Sequence, residues 1–175
     1  MKRRTFLAAA LASAFSTPLL AATPASPVIT VYKDEACGCC TAWVDHLRQS
    51  GFTVDAKNVP DTAVYRKKFG IPDALASCHT GQVGGYVLEG HVPAADILRL
   101  LAARPAARGL AVPAMPLGSP GMEGPRRDPY DVLLVQMDGK HTVYRHYNRD
   151  ARPQAGSARS STRDSRPGLP AGGGA

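Results

Sequence analysis

The sequence predicts an α/β domain: a central sheet with flanking helices and a C-terminal β-hairpin. Three observations carry this. β-Branched runs alternate with stretches of helical periodicity. Gly and Asp-Gly turn signals separate the apolar runs. The 175 residues, 44% apolar and 20% charged, suit one small domain with peripheral segments.

The elements follow in order. "VITVYK" (Val28 to Lys33) is a β-branched run and reads as the first strand. A helix begins within the next segment, "DEACGCCTAW". From Cys40, the residues Trp43, Val44 and Leu47 fall at i+3, i+4 and i+7 and define a buried stripe, and Gly51 ends the helix. "FTVDAKNV" (Phe52 to Val59) is the second strand. A short helix follows, with Asp61 as its N-cap and Gly70 at its end. "GQVGGYVLEGHV" reads as two strands meeting in a tight turn at Gly84 and Gly85. Pro93 opens the next helix, Ile97, Leu100 and Leu101 form its buried stripe, and Pro105 marks its end. This succession of strand, helix, strand, helix, strand, strand, helix is the thioredoxin-like order. Beyond it, "RGLAVPAMPLGSPGMEGPRRDP" reads as a long functional loop. "YDVLLVQ", a turn at Asp138-Gly139 and "HTVYRHY" read as a β-hairpin.

Two segments flank the domain, which is expected over residues 26–148. Residues 1–25 have the layout of an export signal: Lys2, Arg3 and Arg4, an apolar run from Phe6 to Leu20, then small residues. "RRTFL" also looks like a twin-arginine signal. The apolar run is short for a membrane span, so no span is expected after processing. Residues 149–175 are dominated by Arg, Ser, Gly and Pro, a composition of disorder. The formal charge of +7 therefore resides mostly outside the domain. The leader carries three positive charges and the tail a net three, leaving +1 for the rest. A nucleic-acid binder would carry a basic patch on its folded part, so that class is excluded.

The chemistry is concentrated in the cysteines. Cys37, Cys39 and Cys40 lie within four residues, and Cys78 stands far downstream beside His79. In the expected order, Cys37 lies just past the first strand, with Cys39 and Cys40 at the start of the first helix. There the helix dipole and free N–H groups favour thiolates, and Gly38 is read as easing the turn between them. The segment before the third strand lies beside that helix start in a thioredoxin-like sheet, so Cys78 is expected to converge on the other three. An exported protein meets an oxidising compartment in which unprotected thiols pair. Three chemistries compete. Cys37 and Cys40 form a C-x-x-C redox spacing, but Cys39 and Cys78 would be surplus and no proline stands before the third strand. A zinc site normally uses two separated knuckles. Closely spaced soft thiolates suit copper(I), including a multinuclear arrangement, and this fits the spacing best. Two plain disulfides are the structural alternative.

Other residues could contribute. His79 is read either as a ligand or hydrogen-bonding neighbour, or as a partly buried histidine at the strand start. His91, in "GHVPA", reads more as a loop histidine bonded to backbone than as a ligand. His46 is expected on the exposed side of the first helix, and Trp43 in the core. Met115 and Met122 flank "PLGSPG", where a thioether could serve as a soft ligand or the loop as a cover; gap filling is the alternative.

The linked blocks "VYKDEACGCCTAWVDHLRQSGFTV", "IPDALASCHTGQVGGYVLEGHVPAADILRLL", "ARGLAVPAMPLGSPGME" and "YDVLLVQMDGK" resemble the CopG-like family of exported copper-resistance proteins, which is distinct from the ribbon-helix-helix repressor of the same name. The resemblance spans roughly Val28 to Tyr147. It implies a thioredoxin-like domain that binds copper, with Cys37, Cys39, Cys40 and Cys78 at the metal-binding positions. The expected function is periplasmic copper(I) binding in copper resistance, with other periplasmic copper-handling proteins as partners. The alternative is a thiol–disulfide or copper oxidoreductase. The arginine-rich tail lies outside the resemblance.

Overall fold

The computed structural model describes residues 27–150. The expected export signal lies outside these residues, as does the expected disordered tail from residue 151 on. Seven strands form one mixed sheet in the order β2-β1-β3-β4-β5-β6-β7. They are β1 (Val28–Lys33), β2 (Thr53–Asn58), β3 (His79–Val83), β4 (Tyr86–Glu89), β5 (Gly109–Ala111), β6 (Tyr130–Val135) and β7 (His141–Tyr147). Three α-helices, α1 (Gly38–Gln49), α2 (Thr62–Lys68) and α3 (Ala94–Ala103), connect or follow the first four strands. β1 pairs parallel with β2 and antiparallel with β3, and β3 pairs antiparallel with β4. No helix among the described residues is long and apolar enough to cross a membrane.

The two faces of the sheet are covered unequally. On one face α1 and α3 bury Trp43, Val44, Leu47, Ile97 and Leu100 against Ile29, Val31, Leu88, Leu110 and Val132. On the other, Val87, Ala111 and Val135 pack with Ile71 and Leu75, which flank or belong to a short 3-10 turn at Asp73–Leu75. Neighbours Val87 and Leu88 thus serve opposite cores, as the two-residue period of a strand requires.

The expected helix ends hold. The Asp61 carboxylate accepts from the Ala63 N–H at 2.8 Å and caps α2. Gly51 and Gly70 both take positive φ just past their helices. Pro93 sits at the N-cap of α3 rather than inside it, and Arg104 ends that helix in the left-handed conformation.

One expectation is corrected. Residues 109–111 are not loop but strand β5, parallel to β4 with Leu88 opposite Leu110. The β6–β7 hairpin therefore continues the sheet through β5. Three residues with one glycine are too short a run to read as a strand in isolation. The glycine is required there, because a Cβ on Gly109 would lie 1.8 Å from the Val87 carbonyl oxygen. The hairpin is also tied to α3: the Tyr147 hydroxyl donates to the buried Asp96 carboxylate at 2.7 Å, and Arg99 pairs with the same group at 2.8 Å.

Candidate metal centre

The site forms where β1 runs into α1. Past Lys33, the Asp34 side chain accepts from the Ala36 N–H at 2.7 Å, and the Asp34 carbonyl accepts from the Cys37 N–H. This turn delivers Cys37 as the N-cap of α1, with its sulfur 3.3 Å from the Cys40 N–H. Gly38 does not make the turn: it is the first residue of α1, its φ is not positive, and a Cβ there would meet open space. Cys39 and Cys40 follow in the first helical turn, Cys39 half-buried and Cys40 fully buried.

Cys78 arrives from the other side of the sheet order, immediately before β3, which pairs with β1. Its segment is fixed from several directions. The buried Glu89 carboxylate accepts from the Ser77 N–H at 2.8 Å and from the Thr80 hydroxyl at 2.7 Å. The Ser77 hydroxyl donates to the Ala114 carbonyl, and the Ala114 N–H donates to the Ala76 carbonyl. The result is that the sulfurs of Cys37, Cys39, Cys40 and Cys78 all lie within 4.8 Å of one another. Cys37 and Cys40 form a disulfide, while Cys39 and Cys78 are free thiols. The Cys39 sulfur is 3.5 Å from that of Cys37.

A second donor group shares Cys78. Its sulfur lies 3.3 Å from His79 Nδ1 and 3.1 Å from His91 Nε2, and these three ligand atoms also fall within 4.8 Å. Both histidines are fully buried. His79 Nε2 faces the Gly90 carbonyl at 3.0 Å, and His91 Nδ1 faces the Pro120 carbonyl at 2.7 Å. A carbonyl only accepts, so each of those nitrogens carries the proton. The other nitrogen of each ring then presents a lone pair to the Cys78 sulfur. Such an outer hydrogen bond is what orients a metal-binding histidine.

Burial sets the protonation. It lowers the His79 pKa to about 3, with the neighbouring His91 acting in the same direction. Burial also lowers that of His91, against the opposing Pro120 hydrogen bond. Both rings are therefore neutral at neutral pH. The Cys78 thiol is pushed up to about 12, first by burial and then by Cys39, so a metal must displace its proton.

The remaining expected residues separate. Trp43 is fully buried, donates its indole N–H to the Val92 carbonyl at 2.9 Å and packs on His79 with ring centroids 4.3 Å apart. His46 is not a plain surface residue. It is half-buried, and its Nε2 accepts from the Ala94 N–H at 3.2 Å, helping to satisfy the start of α3. Met115 is 49% exposed and lines an open cleft of about 510 Å³ with Pro113, Tyr130 and Leu133, a cleft whose lining holds no cysteine. Met122 is half-buried in a tight loop, its N–H donating to the Ser119 carbonyl at 2.8 Å. That loop lies against the start of α1: a Cβ on Gly121 would meet the Cys39 carbonyl oxygen and the Trp43 nitrogen, each at 2.7 Å.

Glu89 and Ser77 are contributors that sequence reasoning missed. A glutamate at the end of an otherwise apolar strand, "YVLEG", was the available signal.

Among the described residues the cluster offers two free thiols and two imidazoles, joined by two further sulfurs once the Cys37–Cys40 disulfide is reduced, with no carboxylate in either group, which is a donor set for a soft ion. The molecule is thus a small α/β domain whose cysteine cluster can bind metal. A family model described as "Protein of unknown function, DUF411" matches residues 75–122. Two solved structures of copper resistance protein copG align with the chain. Form 2 is 44% identical over 70% of this chain and 98% of its own, with a TM-score of 0.67. Form 1 is 45% identical over 69% and 96%, with a TM-score of 0.65. No curated protein matches. The chain belongs to the CopG family of copper-resistance proteins.

Proposed function

We propose that the protein binds copper(I) in the periplasm and acts in copper resistance through Cys37, Cys39, Cys40 and Cys78. The observation that carries this reading is the convergence of four sulfurs within 4.8 Å, in a chain that belongs to a family of copper-resistance proteins. Thiolates select a soft monovalent ion, and sulfurs this close can bridge several ions, so a multinuclear site is included. His79 and His91 serve as auxiliary ligands through the lone pairs facing Cys78. Of the two methionines, Met122 is kept as an auxiliary thioether because its loop packs against the start of α1, whereas Met115 lines a separate cleft. The export layout of residues 1–25 supports the periplasm, where the protein passes copper to other copper-handling proteins. The order and pairing of the first four strands and their helices support a thioredoxin-like fold, to which we assign the domain.

The test is an anaerobic titration of the reduced protein with copper(I) against a competing chelator. Affinity should exceed that of the variant with all four cysteines changed to serine by orders of magnitude. Equal affinities overturn the reading. A second reading, a thiol–disulfide oxidoreductase, is favoured by one observation, the Cys37–Cys40 disulfide in C-x-x-C spacing. It requires repeated turnover of a disulfide substrate without metal, which the binding reading does not.

A further inference from the structure

We propose that the protein associates with a second copy of itself through β2, whose outer edge pairs antiparallel with the same edge of the other copy, centred on Ala56. The sheets of the two copies then run on as one.

β2 stands at the end of the sheet order, and among the described residues no strand pairs with its outer side. Every position on it except Val54 is exposed. The pairing with β1 decides which of its backbone groups are free. Lys33 lies beside Asn58 in the parallel register, and the Val59 N–H donates to the Lys33 carbonyl at 2.9 Å. Alternate residues of a strand direct their N–H and C=O to opposite edges. Asp55 and Lys57 therefore share the β1 side with Val59, while Val54, Ala56 and Asn58 turn theirs outward. Such a row of unpaired groups is a template for another strand.

Two copies can meet along this edge only where outward-facing residues oppose one another. Registers centred on Asp55, Ala56 or Lys57 satisfy this. The first sets two carboxylates face to face and the last two ammonium groups, and like charges directly opposite are destabilising. The register centred on Ala56 sets Asp55 opposite Lys57 of the second copy, in both directions. Its hydrogen-bonded pairs are Ala56 with Ala56 and Val54 with Asn58. Asp55 and Lys57 fall at the non-hydrogen-bonded positions, where facing side chains stand closest. Within one chain the two side chains already meet, Lys57 Nζ lying 3.5 Å from Asp55 Oδ2, and both are half-exposed. Pairing closes them into a ring of alternating charges.

Charged residues on an edge strand ordinarily keep copies apart. Here their alternation excludes the neighbouring registers and leaves one open. The opposite edge, β7, offers no such match. Its register centred on Tyr144 sets Arg145 opposite Val143, and Arg145 and His146 already face Asp96 and Asp131 of their own chain. No cysteine lies on β2, so the contact leaves each sulfur cluster to its own copy. A strand of six residues makes a small interface, so the dimer is weak and concentration-dependent.

The experiment is sedimentation equilibrium of the purified protein, kept reduced, over rising concentration at low and high salt. The expected result is a monomer–dimer equilibrium that weakens with salt. Asp55→Lys and Lys57→Asp, each checked by circular dichroism for its fold, should each self-associate about tenfold or more weakly, because both cross-strand pairs become like-charged. Mixed in equal amounts, the two variants should associate at least as well as the parent, since one edge is then wholly positive and the other wholly negative. A parent that stays monomeric up to its solubility limit overturns the proposal. Variants that dimerise as the parent does place the contact elsewhere and overturn it too. A mixture no more associated than its components rejects the register, and with it the proposal.

Discussion

Replacing Glu89 tests how the fold delivers Cys78 to a cluster whose other three members lie on a different element. Glu89 is fully buried and holds both the Ser77 N–H and the Thr80 hydroxyl. Burial raises its pKa, and those two hydrogen bonds pull it partly back. Glu89→Leu keeps a similar apolar bulk but leaves both donors without a partner. An unsatisfied buried donor costs about 1–3 kcal/mol, so two would cost roughly 2–6. Relief from burying a carboxyl offsets part of this, leaving a net loss of roughly 2–4 kcal/mol. Glu89→Gln keeps an oxygen to accept from Ser77, and the Thr80 hydroxyl can turn to accept from its amide, so it should cost about 1 kcal/mol or less.

Two measurements on the reduced, metal-free protein and its copper(I) complex decide this. Urea unfolding should show the Leu variant losing stability and the Gln variant nearly unchanged. Copper(I) competition should show the Leu variant weakened about tenfold or more, since about 1.4 kcal/mol of misplacement at Cys78 is a factor of ten. Should the Leu variant match the parent in both assays, Glu89 does not hold the Cys78 segment, and the account of how the fourth sulfur is placed is wrong.

Three further outcomes follow. Gly121→Ala must strain a backbone at φ +84 and push the loop off the Cys39 carbonyl, so alkylation of Cys39 should become faster while the core stays folded; an unchanged rate would show that the loop does not shield that thiol. Acid should destabilise the metal-free protein as pH falls from about 6.5 towards 3, because the unfolded chain protonates His79 where the folded chain cannot, at about 1.4 kcal/mol per pH unit for that histidine. Glu89 acts in the opposite sense, so the slope difference between parent and His79→Gln isolates the histidine, and identical slopes would refute its burial as a neutral ring. A chain ending at Asn148 should fold and bind copper(I) like the longer one, because the arginine-, serine- and glycine-rich remainder lacks the apolar content of a core; loss of folding on circular dichroism would refute this.

Much of the fold was legible because its signals are local. β1 was readable to the residue, since "VITVYK" is bounded by a charged turn. The Asp61 cap and the Gly84-Gly85 turn each depend on neighbouring residues only. β5 was not legible because its identity comes from partners on both sides, Val87 to Glu89 and Leu133 to Val135, and not from its own three residues. At the site the sequence supplied the four cysteines and the histidine beside one of them. It did not supply the orientation of His91, which depends on the Pro120 carbonyl 29 residues away. Nor could Gly38 be distinguished from a turn glycine, since only the backbone reveals that the turn is closed earlier, at Asp34.

The crowding of sulfurs also argues for a charge-driven choice of state. Two thiolates at the 4.8 Å outer limit of the cluster repel by about 3.5 kcal/mol at an effective dielectric constant of about 20, and closer ones by more, so four such groups cannot all stay ionised without compensation. The N-terminus of α1 offsets only part of one such charge, at Cys37. The metal-free site must therefore relieve itself by protonation, as Cys78 does, or by covalent pairing, as Cys37 and Cys40 do. In the proposed reading, monovalent copper is a third way, and it acts on the same charges. One ion against four thiolates would leave a net charge of −3 in a partly buried cluster, whereas each added copper(I) would cancel one more charge. On that reading, the same proximity that destabilises the empty thiolates favours uptake of more than one ion. A sulfur held in the Cys37–Cys40 disulfide is no longer a thiolate donor, so on the proposed reading oxidation of that pair should lower the copper(I) capacity of the cluster.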